Sequence, residues 1–245
     1  MNVTEHDIFQ RTELLLGAGG LDRLAALRVI VVGVGGVGSW CAESLVRSGV
    51  RRLTIADPDL VCASNINRQL MATTGTIGQP KVEVMRRRLL SINPQADITA
   101  RREAFTAETA DRFDLGSYDF VVDAIDSLRD KALLILTVCQ LPSTRLLSSM
   151  GAALKLDPSR IRVAEFWRVE GDPLARALRK RFKREGRYPA RKFQCVYSDE
   201  RLQNQNLSQT DEADGAPAPR ANGTVAHITA IFGLTLASLV VRSAG

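Results

Sequence analysis

The chain of 245 residues is poor in the groups that small domains use as staples. Its four cysteines, Cys41, Cys62, Cys139 and Cys195, lie far apart and form no CxxC pair. That spacing argues against a disulfide framework and against a cysteine-rich zinc site. Only two histidines are present, His6 and His227, and neither stands in a motif. The opening residues, MNVTEHDIFQ, lack a basic stretch followed by an apolar one. No secretory signal is therefore expected, and a reducing cytoplasm is the default compartment. A membrane span needs about 20 predominantly apolar residues. The most apolar stretch, 224–241, is shorter and carries His227, Thr229, Thr235 and Ser238. It reads as a core or dimer helix, with weak membrane contact left open.

Acids are scarce in one place. Between Arg176 and Lys192 stand nine basic residues, among them Arg179, Lys180, Arg181, Lys183, Arg184 and Arg187, against the single acid Glu185. A solvated helix face normally interleaves acids for pairing and solubility. Two readings remain open, a basic surface and a polyanion-binding patch, with nucleic acid the foremost polyanion. The net charge of +6 points the same way.

What is present suits an α/β chain of one large domain with excursions, or of two small ones. Val29 to Val32 form an apolar β-branched run, long enough for a buried parallel strand. Gly33, Gly35, Gly36 and Gly38 follow at once, and Ser39 to Arg47 read as a helix. Such a unit lets backbone N–H groups approach a phosphate at a helix N-terminus. A tight strand-to-helix turn without a ligand has the same pattern, so the choice falls to residues downstream. Before it, residues 5–16 and 21–27 read as two short helices around Gly17-Ala18-Gly19-Gly20.

Arg52 to Ala56 is a second strand, ending in Asp57-Pro58-Asp59. An acid about 20 residues beyond the glycine turn stands where ribose hydroxyls lie, which fits NAD and ATP alike. The polar cluster Ser64-Asn65-Ile66-Asn67-Arg68-Gln69 follows, and Gly78-Gln79-Pro80-Lys81 opens a helix to about Leu90. A triphosphate needs such cations, because its charge must be held while one phosphorus is attacked. A nicotinamide does not. Ile98–Arg101, Tyr118–Val122 and Arg145–Ser148 read as three more strands, with a helix over 128–140. Asp123 and Asp126 stand just past the fourth strand, at the ligand edge of a parallel sheet. Asp126 is the better candidate to hold Mg²⁺ against phosphates, and Asp123 equally suits a helix cap.

The ordered set GVGGVGS, D57-x-D59, SNINRQ, GQPK and DAID resembles the ubiquitin-activating-enzyme-like adenylyltransferases over about residues 8–155. These include the enzymes that activate sulfur-carrier proteins in molybdopterin and thiamine synthesis. The resemblance implies a doubly wound, mostly parallel Rossmann-like sheet with a smaller C-terminal extension, a homodimer, and use of ATP and Mg²⁺ to make an acyl-adenylate. It sets Gly33, Gly35, Gly36 and Gly38 at the nucleotide, with Asp57 and Asp59 at the ribose end. It gives the triphosphate to Asn67, Arg68 and Lys81, sets Asn65 and Gln69 among the other nucleotide-binding residues, and gives the metal to Asp126. Arg11, in FQRTELLLG, matches an arginine that reaches the phosphates from the opposite subunit.

Sulfur-carrier-activating members usually carry two CxxC pairs, and this chain has none. Cys195 is the one cysteine placed where an acyl-accepting thiol would stand, but no histidine is near it in sequence. The stretches SSMGAALKLDPSRIRVAEF, EGDPLARALRKRFK and RKFQCVYSDE resemble the tRNA threonylcarbamoyladenosine dehydratases, extending the likeness to nearly the whole chain. That branch cyclises the modified adenosine beside the anticodon of a tRNA, which accords with the basic stretch. The likeness also admits a bound K⁺ or Na⁺ and a cysteine-desulfurase-type sulfur donor partner. Three segments are expected: N-terminal helices at 1–27, an adenylation unit at 28–155, and a tRNA-substrate and dimer region at 156–245. The polar stretch 208–223 reads as a mobile loop. The alternatives are a sulfur-carrier or ubiquitin-like-protein adenylyltransferase, an NAD-dependent oxidoreductase, and a silent nucleotide-binding scaffold that docks RNA.

Overall fold

In the computed structural model, residues 4–205 and 222–244 are described. Their strands make one sheet in the order β3-β2-β1-β4-β5-β7-β6. The apolar runs form β1 (Arg28–Val32), β2 (Arg52–Ala56), β3 (Asp97–Arg101), β4 (Phe120–Asp123) and β5 (Arg145–Ser149). All pair in parallel. The interior strands β1, β2, β4 and β5 are covered on both faces, so they read as continuous runs, whereas β3 at the edge alternates.

Alternate residues of β1 enter different cores. Val29 and Val31 face α3 (Gly38–Arg47), α4 (Lys81–Ile92) and α7 (Ala226–Val241), with Leu45, Met85 and Phe232 among the buried neighbours. Ile30 and Val32 face α5 (Leu128–Val138) and α6 (Pro173–Glu185), among Leu134, Phe166 and Phe182. Helices on both faces and strand order 3-2-1-4-5 make the doubly wound architecture expected from the sequence. The reversal between β1 and β4 opens a crevice at the strands' carboxyl ends.

Two strands go beyond the sequence reading. β7 (Gln194–Ser198) runs parallel to β5, and β6 (Ile161–Glu165) closes the edge antiparallel to β7. Being an edge strand, β6 has no fully buried residue and leaves no apolar signature. Residues after 156 thus feed the same sheet and both helical layers.

At the N-terminus, α1 (Glu5–Leu16) is held by a Thr4–Asp7 capping box, and α2 (Ala18–Ala26) follows at Gly17, φ 73°. The expected four-residue break therefore shrinks to Gly17, because Ala18, Gly19 and Gly20 form the first turn of α2. The apolar helix α7 lies against α3 so closely that a Cβ at Gly233 would stand 2.4 Å from the Val37 carbonyl oxygen. It is a core helix. Among the described residues no helix is long and apolar enough to cross a membrane. The loop expected at 208–223 falls outside the described residues except for Asn222 and Gly223.

Candidate active site

The glycine turn after β1 is dictated largely by the chain itself. Gly33 has φ 92°, and a Cβ there would meet the Ala124 carbonyl oxygen at 2.6 Å. A Cβ at Gly38 would meet the Gly33 oxygen at 1.8 Å, and one at Gly36 would press on the Thr229 side chain at 3.1–3.3 Å. Gly35 differs. Nothing lies closer to its would-be Cβ than the Gln69 amide nitrogen at 3.9 Å, and it lines an open cleft of about 550 Å³. Bare backbone facing an open crevice at a switch point is what a phosphate needs for close approach.

Beside that turn, Asp57 directly follows β2. Its Oδ2 accepts from the Val34 N–H at 2.7 Å and its Oδ1 from the Asp59 N–H at 3.0 Å. Asp57 therefore ties β2 to the glycine turn, and each oxygen keeps a lone pair for a ligand hydroxyl. Burial pushes its carboxyl above the usual range, opposed by the Lys81 ammonium at 3.7 Å. Lys81 is the buried first residue of α4 and donates to Asp59 Oδ2 at 2.7 Å. The lysine sits between two acids rather than free.

The polar cluster divides its labour. Arg68 lines the cleft, steadied by its donation to the Ser64 carbonyl oxygen at 2.7 Å and to Asn67 Oδ1 at 3.0 Å. Gln69 also lines it, only 6% exposed, and its Oε1 is a buried acceptor with no partner among the described residues. Buried polar atoms are nearly always satisfied, so an orphan oxygen in a cleft wall marks a ligand position. Asn65, expected at the nucleotide, and Asn67, expected at the triphosphate, do not line the cleft. Asn65 accepts from the Cys62 N–H, and Asn67 donates to the Thr224 carbonyl oxygen at 2.9 Å. They shape the loop that presents Arg68 and Gln69.

Past β4, Asp126 is exposed at the cleft edge, and Asp123 is fully buried. Asp123 is not a helix cap, since Ser127 caps α5. Its Oδ2 accepts from Lys131 Nζ at 2.7 Å and from Ser148 Oγ at 2.6 Å, while its Oδ1 accepts from the Ile125 N–H at 3.1 Å. This buried pair fixes the turn that carries Asp126. Asp130 and Glu103 line the cleft as well. Glu103 follows β3 as Asp126 follows β4, and the same rule applied to β3 finds it. Among the described residues no three His, Cys, Asp or Glu side chains gather as a metal cage. Asp126 and Asp130 put carboxylates on the cleft, a donor set of the kind Mg²⁺ takes together with phosphates and waters.

Another wall is formed by Ser149 to Ala153 with Leu174, which lie in the stretches SSMGAALKLDPSRIRVAEF and EGDPLARALRKRFK, and by Thr224. Asp172 holds part of it: its Oδ1 caps α6 at the Ala175 N–H, 2.8 Å, and its Oδ2 accepts from the Gly151 N–H at 3.2 Å. Beneath it, buried Lys155 donates to the carbonyl oxygens of Ser198 at 3.0 Å and Glu200 at 2.8 Å.

The basic stretch is less uniform than its sequence. Arg179 is half-buried and donates to the carbonyl oxygens of Phe166 at 3.1 Å and Val169 at 2.8 Å. Arg181 pairs with Glu185 at 2.9 Å. Neither is a free surface cation, whereas Lys180, Lys183, Arg184 and Arg187 are exposed. Cys195 is fully buried in β7, and burial holds its thiol well above the ordinary range, which suits packing and not nucleophilic attack. Arg11 is exposed on α1 and lines no part of its own chain's cleft.

A model of the ThiF family matches residues 9–244. The chain is 37% identical to the tRNA threonylcarbamoyladenosine dehydratase of Bacillus subtilis over 238 residues, 95% of this chain and 92% of that one. Crystal structures of the Escherichia coli tRNA N6-threonylcarbamoyladenosine dehydratase bound to ATP and to AMP superpose with a TM-score of 0.84 at 32% and 33% identity, covering 100% of this chain and 97% of theirs. The molybdopterin-synthase adenylyltransferase of Escherichia coli is 34% identical over 164 residues, 66% of this chain and 63% of its own.

Proposed function

The chain belongs to the ThiF family, and on that premise we propose that it is an ATP-dependent tRNA threonylcarbamoyladenosine dehydratase. The observation that carries the mechanism is one cleft at the switch point that unites bare Gly35, Asp57, Arg68, Gln69, Lys81 and Asp126. ATP lies with its phosphates over Gly35 and its ribose hydroxyls on the spare lone pairs of Asp57. The orphan Gln69 oxygen takes a donor from the bound nucleotide.

The threonine carboxylate of the modified adenosine attacks the α-phosphorus, and pyrophosphate departs. Arg68 and Lys81 stabilise the charge that grows on the phosphate oxygens, where fixed donors act with no reorganisation cost. Asp126 would hold Mg²⁺, with Asp123 and Lys131 steadying its turn; bound there, the ion would neutralise phosphate charge. Adenylation turns a poor leaving oxygen into a good one. A nucleophile on the same side chain then closes a five-membered ring, AMP leaves, and the net change is loss of water. Because that attack is intramolecular, proximity replaces covalent help from the enzyme. The burial of Cys195 accords with this.

The same reading makes the molecule a homodimer in which Arg11 reaches the partner's phosphates. The sulfur-carrier alternative shares the nucleotide site and differs in acceptor. ATP–pyrophosphate exchange should depend on tRNA bearing the modified adenosine and not on a carrier protein ending in Gly-Gly; the opposite dependence would reverse the assignment. Asp126→Asn should abolish AMP formation, by about 10²-fold or more, while leaving the fold intact. Unchanged turnover removes Asp126 from the metal role.

A further inference from the structure

On the surface beside α6, two large aromatic side chains stand in the open. Trp167 is 43% exposed and Tyr188 54%, and their ring centroids lie 6.2 Å apart at 45°. Exposed aromatics are common singly and rarely need explanation. These two are paired, and they are braced from below. Phe166 meets Trp167 edge-on at 5.0 Å and lies nearly parallel to Phe193 at 5.0 Å, with Phe182 on another side at 5.9 Å. The 3-10 turn Phe166–Arg168 that presents Trp167 is locked by Glu165 Oε2, which accepts the Trp167 N–H, and by Arg179, which donates to the carbonyls on both flanks. The cation the sequence assigns to a polyanion is spent on holding the aromatic turn.

Beside the pair stand cations, while the neighbouring acids are engaged: Glu165 on the Trp167 N–H and Glu185 with Arg181 and Arg184. Arg168, Lys183 and Arg187 are exposed, and none makes an ion pair among the described residues. Tyr188 follows Arg187 directly, and Trp167 precedes Arg168. A π-face framed by unpaired cations complements a single-stranded nucleic acid, whose unstacked bases lie on aromatic rings while its phosphates meet Arg and Lys. The position suits the reaction too. Leu174, in the first turn of α6, lines the nucleotide cleft. Phe182 stands eight residues further along the same helix, which at the helical rise is about 12 Å away.

We propose that Trp167 and Tyr188 form a stacking platform for an unpaired base of the anticodon loop, next to the modified adenosine that enters the cleft. This rests on the tRNA reading above. The probe is an anticodon stem–loop RNA bearing threonylcarbamoyladenosine, titrated against the full-length protein over a range of salt. Trp167→Ala and Tyr188→Ala should each weaken binding about tenfold while leaving the salt slope unchanged, because a stacked ring and not a charge is lost. Trp167→Phe should retain most of the affinity, since a π-face remains. Lys183→Ala or Arg187→Ala should instead lower the slope by about one. ATP affinity should stay at the wild-type value in all of them.

Alanine variants that bind the RNA as tightly as the wild type would overturn the proposal. So would a Trp167→Phe loss as large as that of Trp167→Ala, which would indicate a structural role. A change confined to oligomeric state would make the pair a protein interface, and loss confined to binding of anionic phospholipid vesicles would make it a membrane contact. The parent reading fails differently: the wild type itself would leave the modified RNA unconverted.

Discussion

A methyl group added at Gly38 would meet the Gly33 oxygen at 1.8 Å, and at Gly35 it would meet nothing within 3.8 Å of protein. The same chemical change therefore tests two different things at positions three residues apart: the fold at one glycine and the ligand at the other. Gly38→Ala should destabilise by about 3 kcal/mol, the upper end for overpacking where backbone must yield. Gly35→Ala should leave the melting temperature within about 1 °C and weaken ATP binding about tenfold, the size of one charge-assisted hydrogen bond lost. Thermal melts and equilibrium ATP titration of the two variants check both. A Gly35→Ala enzyme that binds ATP normally would show that the phosphates do not lie on this turn. Residues read as one motif thus divide by what each atom touches, and so do the cations: Arg68 reaches the cleft, whereas Arg179 is consumed by two backbone carbonyls.

Among the elements, α5 carries the most consequential burial. Lys131 and Asp123 are both fully buried and 2.7 Å apart, and Asp123 also receives Ser148 and the Ile125 N–H. Removing one partner of such a pair leaves a buried charge uncompensated. Lys131→Met should cost about 3–5 kcal/mol, and Lys131→Met with Asp123→Asn should recover part of that loss. Denaturant unfolding of the single and double variants measures the coupling; additive losses would mean the pair is not coupled. Lys131 was not legible as part of the site, because in sequence it closes the charged run Arg129-Asp130-Lys131 in the first turn of α5, where a solvent-facing charge is the ordinary reading. β1, β2, β4 and β5 were legible, since each is a largely apolar run with all but its ends buried, and β3, at the sheet edge, showed only the short alternation of DITAR. β6 was not, because Arg162 and Val163 are exposed at the sheet edge. The nucleotide wall could be read from Asp57, Arg68 and Lys81, which sit at family spacing. The wall of Gly151 and Leu174 could not be placed at the cleft, because it depends on a tertiary contact, Asp172 accepting the Gly151 N–H across 21 residues.

At the scale of the whole molecule, the most exposed large apolar side chains among the described residues stand together on α1. Leu14 and Leu15 on α1 are 83% and 84% exposed, three and four residues from Arg11. Side chains three and four positions apart share a helix face. An apolar patch of this kind next to an arginine that cannot serve its own cleft accords with a two-fold assembly in which each α1 serves the other protomer. In such a dimer each site draws residues from both chains, which permits a complementation experiment. Arg11→Ala and Asp126→Ala proteins should each be inactive alone. Mixed as equal amounts and allowed to exchange, half the dimers are heterodimers; in each of these one site carries both lesions and the other carries none. Turnover should return to about a quarter of the wild-type value, since the contact is isologous and each protomer both gives and receives. Were Arg11 to act within its own chain, every site in every mixture would hold one lesion and no activity would return. Leu14→Asp with Leu15→Asp should abolish the recovery and yield monomers by sedimentation, with the melting temperature set by the fold alone.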